Sequence, residues 1–550
     1  MKNTITLCML LCFSNIQAQV PTWQWTKSAT CANSNGLGEG TDIATDVWGN
    51  AFVTGYFKDS SITFGAFTLY PSITTNINTS IFVAKYDSSG TVLWARNATG
   101  VTSSAVNDIK TDMDGNVYLT GYFSGGFMAF GSDTIFGQAQ PVMQQVFIVK
   151  FDSSGTFLWA NSSSGVTAYG TGLACDTNGN VFVTGYFYSN NPVTFGNDSL
   201  TSEGGIDIFI VKYDAAGNVI WAKSAGGTSS DYVFSIGYNT ATNTFAITGS
   251  FRSAIIIFGT DTLFNNNPSS YDIYVAKFDA SGNHIWASRA GGFGNEEGRC
   301  VINQGTDFTY VCGKFQSQQI WFDSYNFYLV AGVPNSFIAK YDSVGSVVWA
   351  VPISGGNTLN IDMDVDFGIY VNGQMDAAMS IDSVSLPYPA GIDPLFIAKY
   401  DSAGHTLFAL SMSSGGDDYS GMAIGPNGSV YIGGDFVTNP FIVGNDTLQL
   451  TGNEDVFVAK LGYGTGVGMA EYANRDRLRV FPNPSSGEIT LLLNGDYSRV
   501  SILNINGQTV YEKQVRQLQQ LQVHIDHPGI YLVKAVGDKG VQYKTIAVTE

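Results

Sequence analysis

A seven-residue phrase recurs seven times along this chain, and no other feature limits its possible folds so strongly. It reads I-F-V-A-K-Y-D from Ile81 to Asp87 and returns at Val146 to Asp152, Ile208 to Asp214, Ile273 to Asp279, Ser336 to Asp342, Leu395 to Asp401 and Val456 to Gly462. After the first six comes a four-residue turn ending in Gly90, Gly155, Gly217, Gly282, Gly345 or Gly404. A strand centred on Trp94, Trp159, Trp221, Trp286, Trp349 or Phe408 follows. Periods of this size mean one supersecondary unit stacked on copies of itself, because a single copy cannot bury its apolar face alone.

Each copy reads as β. Asn116 to Phe123 and Asn180 to Phe187 alternate with period two and open just after a turn rich in Asp, Gly and Asn. Every unit therefore offers four strands: A before that turn, B after it, C at the recurring phrase and D at the Trp. Between B and C lies a sub-motif, seen at Phe130 to Ile135, Phe195 to Leu200 and Phe258 to Leu263, that reads as a further tight turn. Four antiparallel strands repeated seven times predict an all-β chain built as a seven-bladed β-propeller over residues 19–462. A D-type strand at 22–28 precedes any A strand, and the last C strand is followed by no D. The two leftovers complete one blade and leave no open edge.

The chain has 550 residues, 63 of them Gly, with 13% charged side chains and a net charge of −19, a composition that folds. Residues 475–550 carry a net +2, so the first 474 carry −21. Nucleic acid and anionic lipid both require a basic stripe, and neither is expected as a partner of so acidic a body. Residues 1–18 have the pattern of a signal peptide: Lys2, an apolar stretch to Phe13, and cleavage expected between Ala18 and Gln19. A lipoprotein reading would need Cys12, with bulky Leu11 before it. No transmembrane segment is expected elsewhere, since no other stretch approaches the apolar length required.

The repeats resemble the secreted β-propeller repeat family of bacteria, in which G-N-V-Y-V-T-G-Y-F precedes F-V-A-K-Y-D and W-A-K. The match is strong in units one to four and weaker in six and seven, where Asn372-Gly373 and Gly433-Gly434 replace Thr-Gly. The resemblance implies the fold and a secreted location, but no particular chemistry.

Residues 463–478 lose the repeat and read as a linker. Residues 479–550 then alternate as six or seven short strands, which predicts a small C-terminal β-sandwich. Pro482, Asn483, Pro484, Gly507, Gly529, Tyr531 and Lys534 occur in the order of the type A sorting domain of the Bacteroidetes type IX secretion system, which this tail resembles. That resemblance implies Sec export, transfer across the outer membrane by the type IX machinery, and cleavage with surface attachment or release. An unrelated immunoglobulin-like module with its own ligand is the alternative.

Catalytic chemistry is scarce. Of four His, His284 and His405 sit at equivalent places in separate units, and His524 and His527 lie in the tail, so neither a His triad nor a multi-His metal site is expected. Asp112 to Asn116 resembles the start of a calcium loop, but aligned copies from Asp46, Asp176 and Pro426 do not keep its alternating carboxylates, none has a bidentate Glu at the twelfth position, and a hairpin turn explains all of them. No cofactor is called for, and Ca2+ is the one ion considered.

Strand polarity places the D–A loops and B–C segments on one face, where Glu39, Asp231, Glu296, Glu297, Asp417 and Asp418 form a candidate rim for a cation or a basic ligand. Asp198-Ser199-Leu200 and Asp446-Thr447-Leu448 resemble O-glycosylation acceptors of Bacteroidetes, although a turn entering a short strand is spelled the same way. Cys300 and Cys312 align with Asp42 and Thr54, fall opposite each other across an A–B hairpin, and are expected to form a disulfide. Cys31 and Cys175 are expected to stay unpaired. The favoured function is a secreted, non-enzymatic propeller for adhesion or ligand binding, the ligand a glycan or a protein. The rival is a secreted hydrolase or lyase acting through rim carboxylates.

Overall fold

The structure, a computed structural model, describes residues 20–463 apart from 72–78, 101–102, 132, 138–142, 189–190, 306–307, 329–334, 383, 389–393 and 413–419. It also describes 478–548 apart from 482–486, 494–496, 505–507, 516–517, 519 and 538–539. The expected signal cleavage point at Ala18 and Gln19, and nearly all of the expected linker, lie outside the described residues. The chain forms two compact units, one ending at Tyr463 and one beginning at Gly464.

Strand pairing builds the repeat. In the first unit Leu37–Thr45 (A) pairs antiparallel with Ala51–Lys58 (B), B with Ser80–Tyr86 (C), and C with Val92–Asn97 (D). The A-B-C-D order returns in six further four-strand blades among the described residues. One continuous strand, Val347–Met363, serves as D of the fifth and A of the sixth. Thr22–Cys31 pairs with Asp455–Gly462, with Thr26 opposite Ala459, and completes the seventh blade. It runs beyond the expected 22–28, and its last three residues pair onward with Ile62–Phe64 of the first blade.

Side chains of the A strands tie the seven blades into a ring. Thr111 Oγ1 donates to the Thr45 carbonyl, Asn107 Nδ2 to Gly170, Thr171 Oγ1 to Val233, and Asn303 Nδ2 to Gly237. Cys300 Sγ contacts the Ile361 carbonyl at 3.8 Å, Asn360 Nδ2 donates to Ser420, and Thr45 Oγ1 returns to Ile424. Every blade is thus joined to the next, and the seventh to the first.

The recurring phrases are consumed by this architecture. The Lys of the C-strand phrase reaches the Asp of its own A–B turn, as in Lys85–Asp46 (3.2 Å), Lys212–Asp176 (3.3 Å) and Lys399–Asp364 (2.8 Å), while lying over a B-strand aromatic ring. Each turn Asp also accepts local backbone N–H bonds: Asp112 takes those of Asp114 and Asn116, plus the Asn116 amide. Trp indoles of several D strands donate to the C–D turn of the following blade, as Trp94 does to Ser153 and Trp159 to Ala215. The sub-motif is a small hairpin whose Asp caps its own blade's D strand: Asp198 accepts from Ala222 N–H and Asp261 from Ala287 N–H, both at 2.8 Å. This accounts for the Asp-Ser-Leu spelling structurally, with Ser199 exposed and Leu200 buried.

The expected disulfide is corrected. Cys300 and Cys312 are register partners, yet both are free thiols, as are Cys31 and Cys175. A bulge between Gly298 and Cys300 interrupts the pairing next to the site. The Cys300 thiol lies against Ser235 Oγ (3.5 Å) and the Ile361 carbonyl, toward the channel, whereas Cys312 is packed in the core between blades five and six.

The second unit has two sheets. Leu478–Phe481, Glu488–Leu493 and Gln520–His524 form one, and Tyr497–Asn504, Thr509–Gln514, Gly529–Gly537 and Gly540–Val548 the other. Alternate residues such as Ile489, Leu491, Val500, Ile502, Val523 and Val533 fill the space between them. Tyr531 packs in this core and donates its hydroxyl to the His527 carbonyl. Lys534 pairs with Ser501 in register. Pro482, Asn483, Pro484 and Gly507 lie outside the described residues.

Candidate functional site

Seven A strands converging on one axis leave a channel, a cavity of about 1030 Å³ among the described residues. Its middle is polar. Asp108 pairs with Lys110 at 2.7 Å, and Asp42 stands 4.0 Å from the same ammonium. These carboxylates also join blades: Asp42 accepts from Ile109 N–H, Asp108 from Leu173 N–H, and Asp362 from Ile424 N–H. Burial, reinforced by the Asp108 charge and opposed by Lys110, holds Asp42 well above the usual carboxylate range. Burial likewise pushes Asp362 up to about 6. For Lys110, Asp108 and Asp42 outweigh burial and keep the ammonium charged.

One mouth of the channel is aromatic. It is the face of the D–A loops and B–C segments, where A and C strands begin and B strands end. Tyr122 lies edge-on to Tyr169 with ring centroids 4.8 Å apart, Tyr169 stacks on Tyr186 at 5.2 Å, Tyr186 meets Tyr232 edge-on at 5.0 Å, and Tyr232 reaches Tyr271 at 5.9 Å. Tyr188 joins between Tyr169 and Tyr186, and is 42% exposed. The Arg299 guanidinium lies over Phe234 and closes the crescent toward blade five. Burial and the neighbouring phenols raise Tyr169 and Tyr186, and burial with the Tyr271 phenol pushes Tyr232 up to about 12. All three are neutral hydroxyl groups at neutral pH.

The expected rim divides. Glu39 lines this mouth and accepts the Tyr56 hydroxyl. Glu297 pairs with Arg299 at 2.6 Å and Lys314 at 3.4 Å. Asp231 and Glu296 are corrected: both are 0% exposed and serve loop structure rather than ligand. Asp231 accepts from the N–H groups of Arg252 and Ser253 and the Ser253 hydroxyl, while Glu296 accepts from Gly292 N–H, Ser317 N–H and the Ser317 hydroxyl. They open their A strands, where a carboxylate can collect donors from the B–C segment. Asp417 and Asp418 lie outside the described residues.

Among the described residues no group of three or more His, Cys, Asp and Glu is arranged to hold a metal ion. The Asp112 carboxylate faces its own turn, the Tyr118 hydroxyl and Lys150, as the hairpin reading requires. The tyrosine crescent was missed in the sequence. Its signal is the Tyr one place beyond the recurring Gly in blades one to three, Tyr56, Tyr122 and Tyr186, where later blades carry Ser250, Lys314 and Gln374.

Residues 479–549 match the family described as the secretion system C-terminal sorting domain. The tail is a type IX sorting domain. It directs the chain to the cell surface or the extracellular space, and no described helix is long and apolar enough to cross a membrane. Upstream of the sorting domain the likenesses are more distant. An uncharacterized WD repeat-containing protein of Acanthamoeba polyphaga mimivirus is 26% identical over 390 residues, covering 59% of this chain and 28% of that protein. The regulatory protein FlaEY of Caulobacter vibrioides is 25% identical over 398 residues, covering 66% of this chain and 39% of its own. The chain thus spans well under half the length of these relatives. Among solved structures, a europium-containing methanol dehydrogenase aligns at 9% identity and TM-score 0.32, over 82% of this chain and 94% of that one. PorZ, described as a surface component of the type IX system of Porphyromonas gingivalis, aligns at 10% and 0.16, over 96% and 100%. The propeller therefore rests on its own strand pairing rather than on these alignments.

Proposed function

We propose that the sorting domain exports a ligand-binding propeller, and that the ligand enters the tyrosine-lined mouth and is held without being chemically changed. The leader at 1–18 would supply passage through Sec, and the tail interaction with the type IX machinery. The observation that carries the reading is the crescent from Tyr122 to Tyr271. It is a half-exposed surface that the repeat does not require, since later blades dispense with it. Tyr supplies large contact area and a polar tip at low entropic cost, as recognition surfaces demand.

The arrangement of carboxylates favours binding over hydrolysis. Asp231 and Glu296 have their oxygens engaged by loop donors, and Glu297 is neutralised by two cations. Mature protein incubated with a panel of extracellular glycans and peptides should retain a ligand and release no product. A Tyr186→Ala, Tyr232→Ala double variant should lose retention. Turnover abolished by Glu297→Gln would overturn the reading in favour of a hydrolase.

A further inference from the structure

Resting on the mouth as the binding site, we infer that its ligand is an uncharged saccharide chain laid along the crescent from blade two to blade four. The first reason is charge. Among the described residues of this rim the carboxylates are already engaged, Glu297 by Arg299 and Lys314, and Glu39 by the Tyr56 hydroxyl. A ligand that binds through these charges would have to displace contacts already made, whereas an uncharged one can pack on the crescent and leave them in place.

The second reason is the surface itself. Tyr122, Tyr169, Tyr186 and Tyr232 follow one another at 4.8, 5.2 and 5.0 Å, so an unbroken run of phenol rings, each with a hydroxyl, crosses three blades. Neutral hydroxyls both donate and accept. A sugar ring is built the same way, with C–H faces that pack on aromatic surface and a rim of hydroxyls that donate and accept. A peptide would instead offer backbone groups to a strand edge, and the channel-side edges of the A strands already accept blade-to-blade bonds, Gly170 from Asn107, Val233 from Thr171 and Gly237 from Asn303. A run of rings further suits a polymer over a single sugar, since each ring contacts a successive unit.

The test uses the mature full chain with laminarin, xylan, mannan and amylose as neutral probes, and polygalacturonate and oligolysine as charged ones. Binding of at least one neutral polymer is expected, with affinity constant between about 0.05 and about 0.5 M salt, where screening would weaken ion pairing. Tyr186→Ala or Tyr232→Ala should each lower it about tenfold, and Tyr169→Phe, which deletes only a hydroxyl, by less. Val365→Ala, exposed at the opposite end of the channel, should bind normally, and thermal melts verify folding of every variant. Binding of none of the neutral polymers overturns the inference. Tyrosine-dependent binding of polygalacturonate alone overturns the ligand's neutrality, and of oligolysine alone its saccharide class, either one leaving the mouth as the site. Neutral-polymer binding that ignores the tyrosine variants overturns both.

Discussion

Asp446, in the outer hairpin of the seventh blade, accepts a 2.6 Å hydrogen bond from the backbone N–H of Thr26, a residue 420 positions earlier in the chain. The same type of bond caps the D strands of blades three and four within one blade. Here it fastens the beginning of the ring to its end. A second link is the Cys31 N–H donating to Asp455.

Asp446→Ala leaves that N–H buried without its acceptor and should cost about 1–3 kcal/mol. Deleting 22–31 removes the outer strand of blade seven and its pairing with the first-blade hairpin, exposing an edge. Differential scanning calorimetry should show a lowered Tm for the point variant and loss of the cooperative propeller transition for the deletion. An unchanged transition in the deletion would refute closure by this strand.

Gly155 and Gly428 separate backbone strain from crowding. Both have positive φ, +79° and +75°, but a Cβ on Gly155 would meet the Trp94 ring at 2.6 Å while one on Gly428 meets nothing within 4 Å. Gly428→Ala should cost about 1 kcal/mol, the ordinary strain of that conformation. Gly155→Ala should cost clearly more, because the indole that donates to Ser153 must shift. Equal urea midpoints for the two variants would contradict this packing.

The frame was legible because its determinants recur: Lys85, Trp94 and Asp46 touch residues at fixed offsets, so period alone exposes them. Cys300 shows where legibility ended. Counting across the hairpin finds its register partner, but not the bulge beside it or the direction of its thiol. Asp231 and Glu296 are indistinguishable in sequence from solvent-facing loop acids, since most of their donors come from B–C residues some twenty positions away. The crescent was hidden because Tyr122, Tyr169 and Tyr232 belong to three blades and meet only when the ring closes.

The sorting domain has its own apolar core, and the chain divides between Tyr463 and Gly464. Deleting 479–550 should therefore leave the propeller's Tm within about 2 °C of the full chain's propeller transition. It should also retain the protein on the periplasmic side of the outer membrane. Cell fractionation checks the second point, and normal amounts of truncated protein outside the cell would contradict the sorting role.

Asp362 gives the channel a pH dependence of definite sign. Its carboxyl is pushed up to about 6, chiefly by burial, from an ordinary value near 3.8. The folded state therefore binds the proton more tightly than the unfolded chain does. The contribution favours folding below the ordinary value and is lost as pH rises through about 6, where the buried group must ionise. Asp42, raised for the same reason beside Asp108, acts in the same direction. Asp362→Asn removes the ionisation while keeping an acceptor for Ile424 N–H. Melting wild type and variant from about pH 4 to about pH 8 should show the variant gaining on wild type as pH rises, with most of the change between about pH 4 and 6. A difference independent of pH would mean that Asp362 ionises as freely in the folded channel as in the unfolded chain.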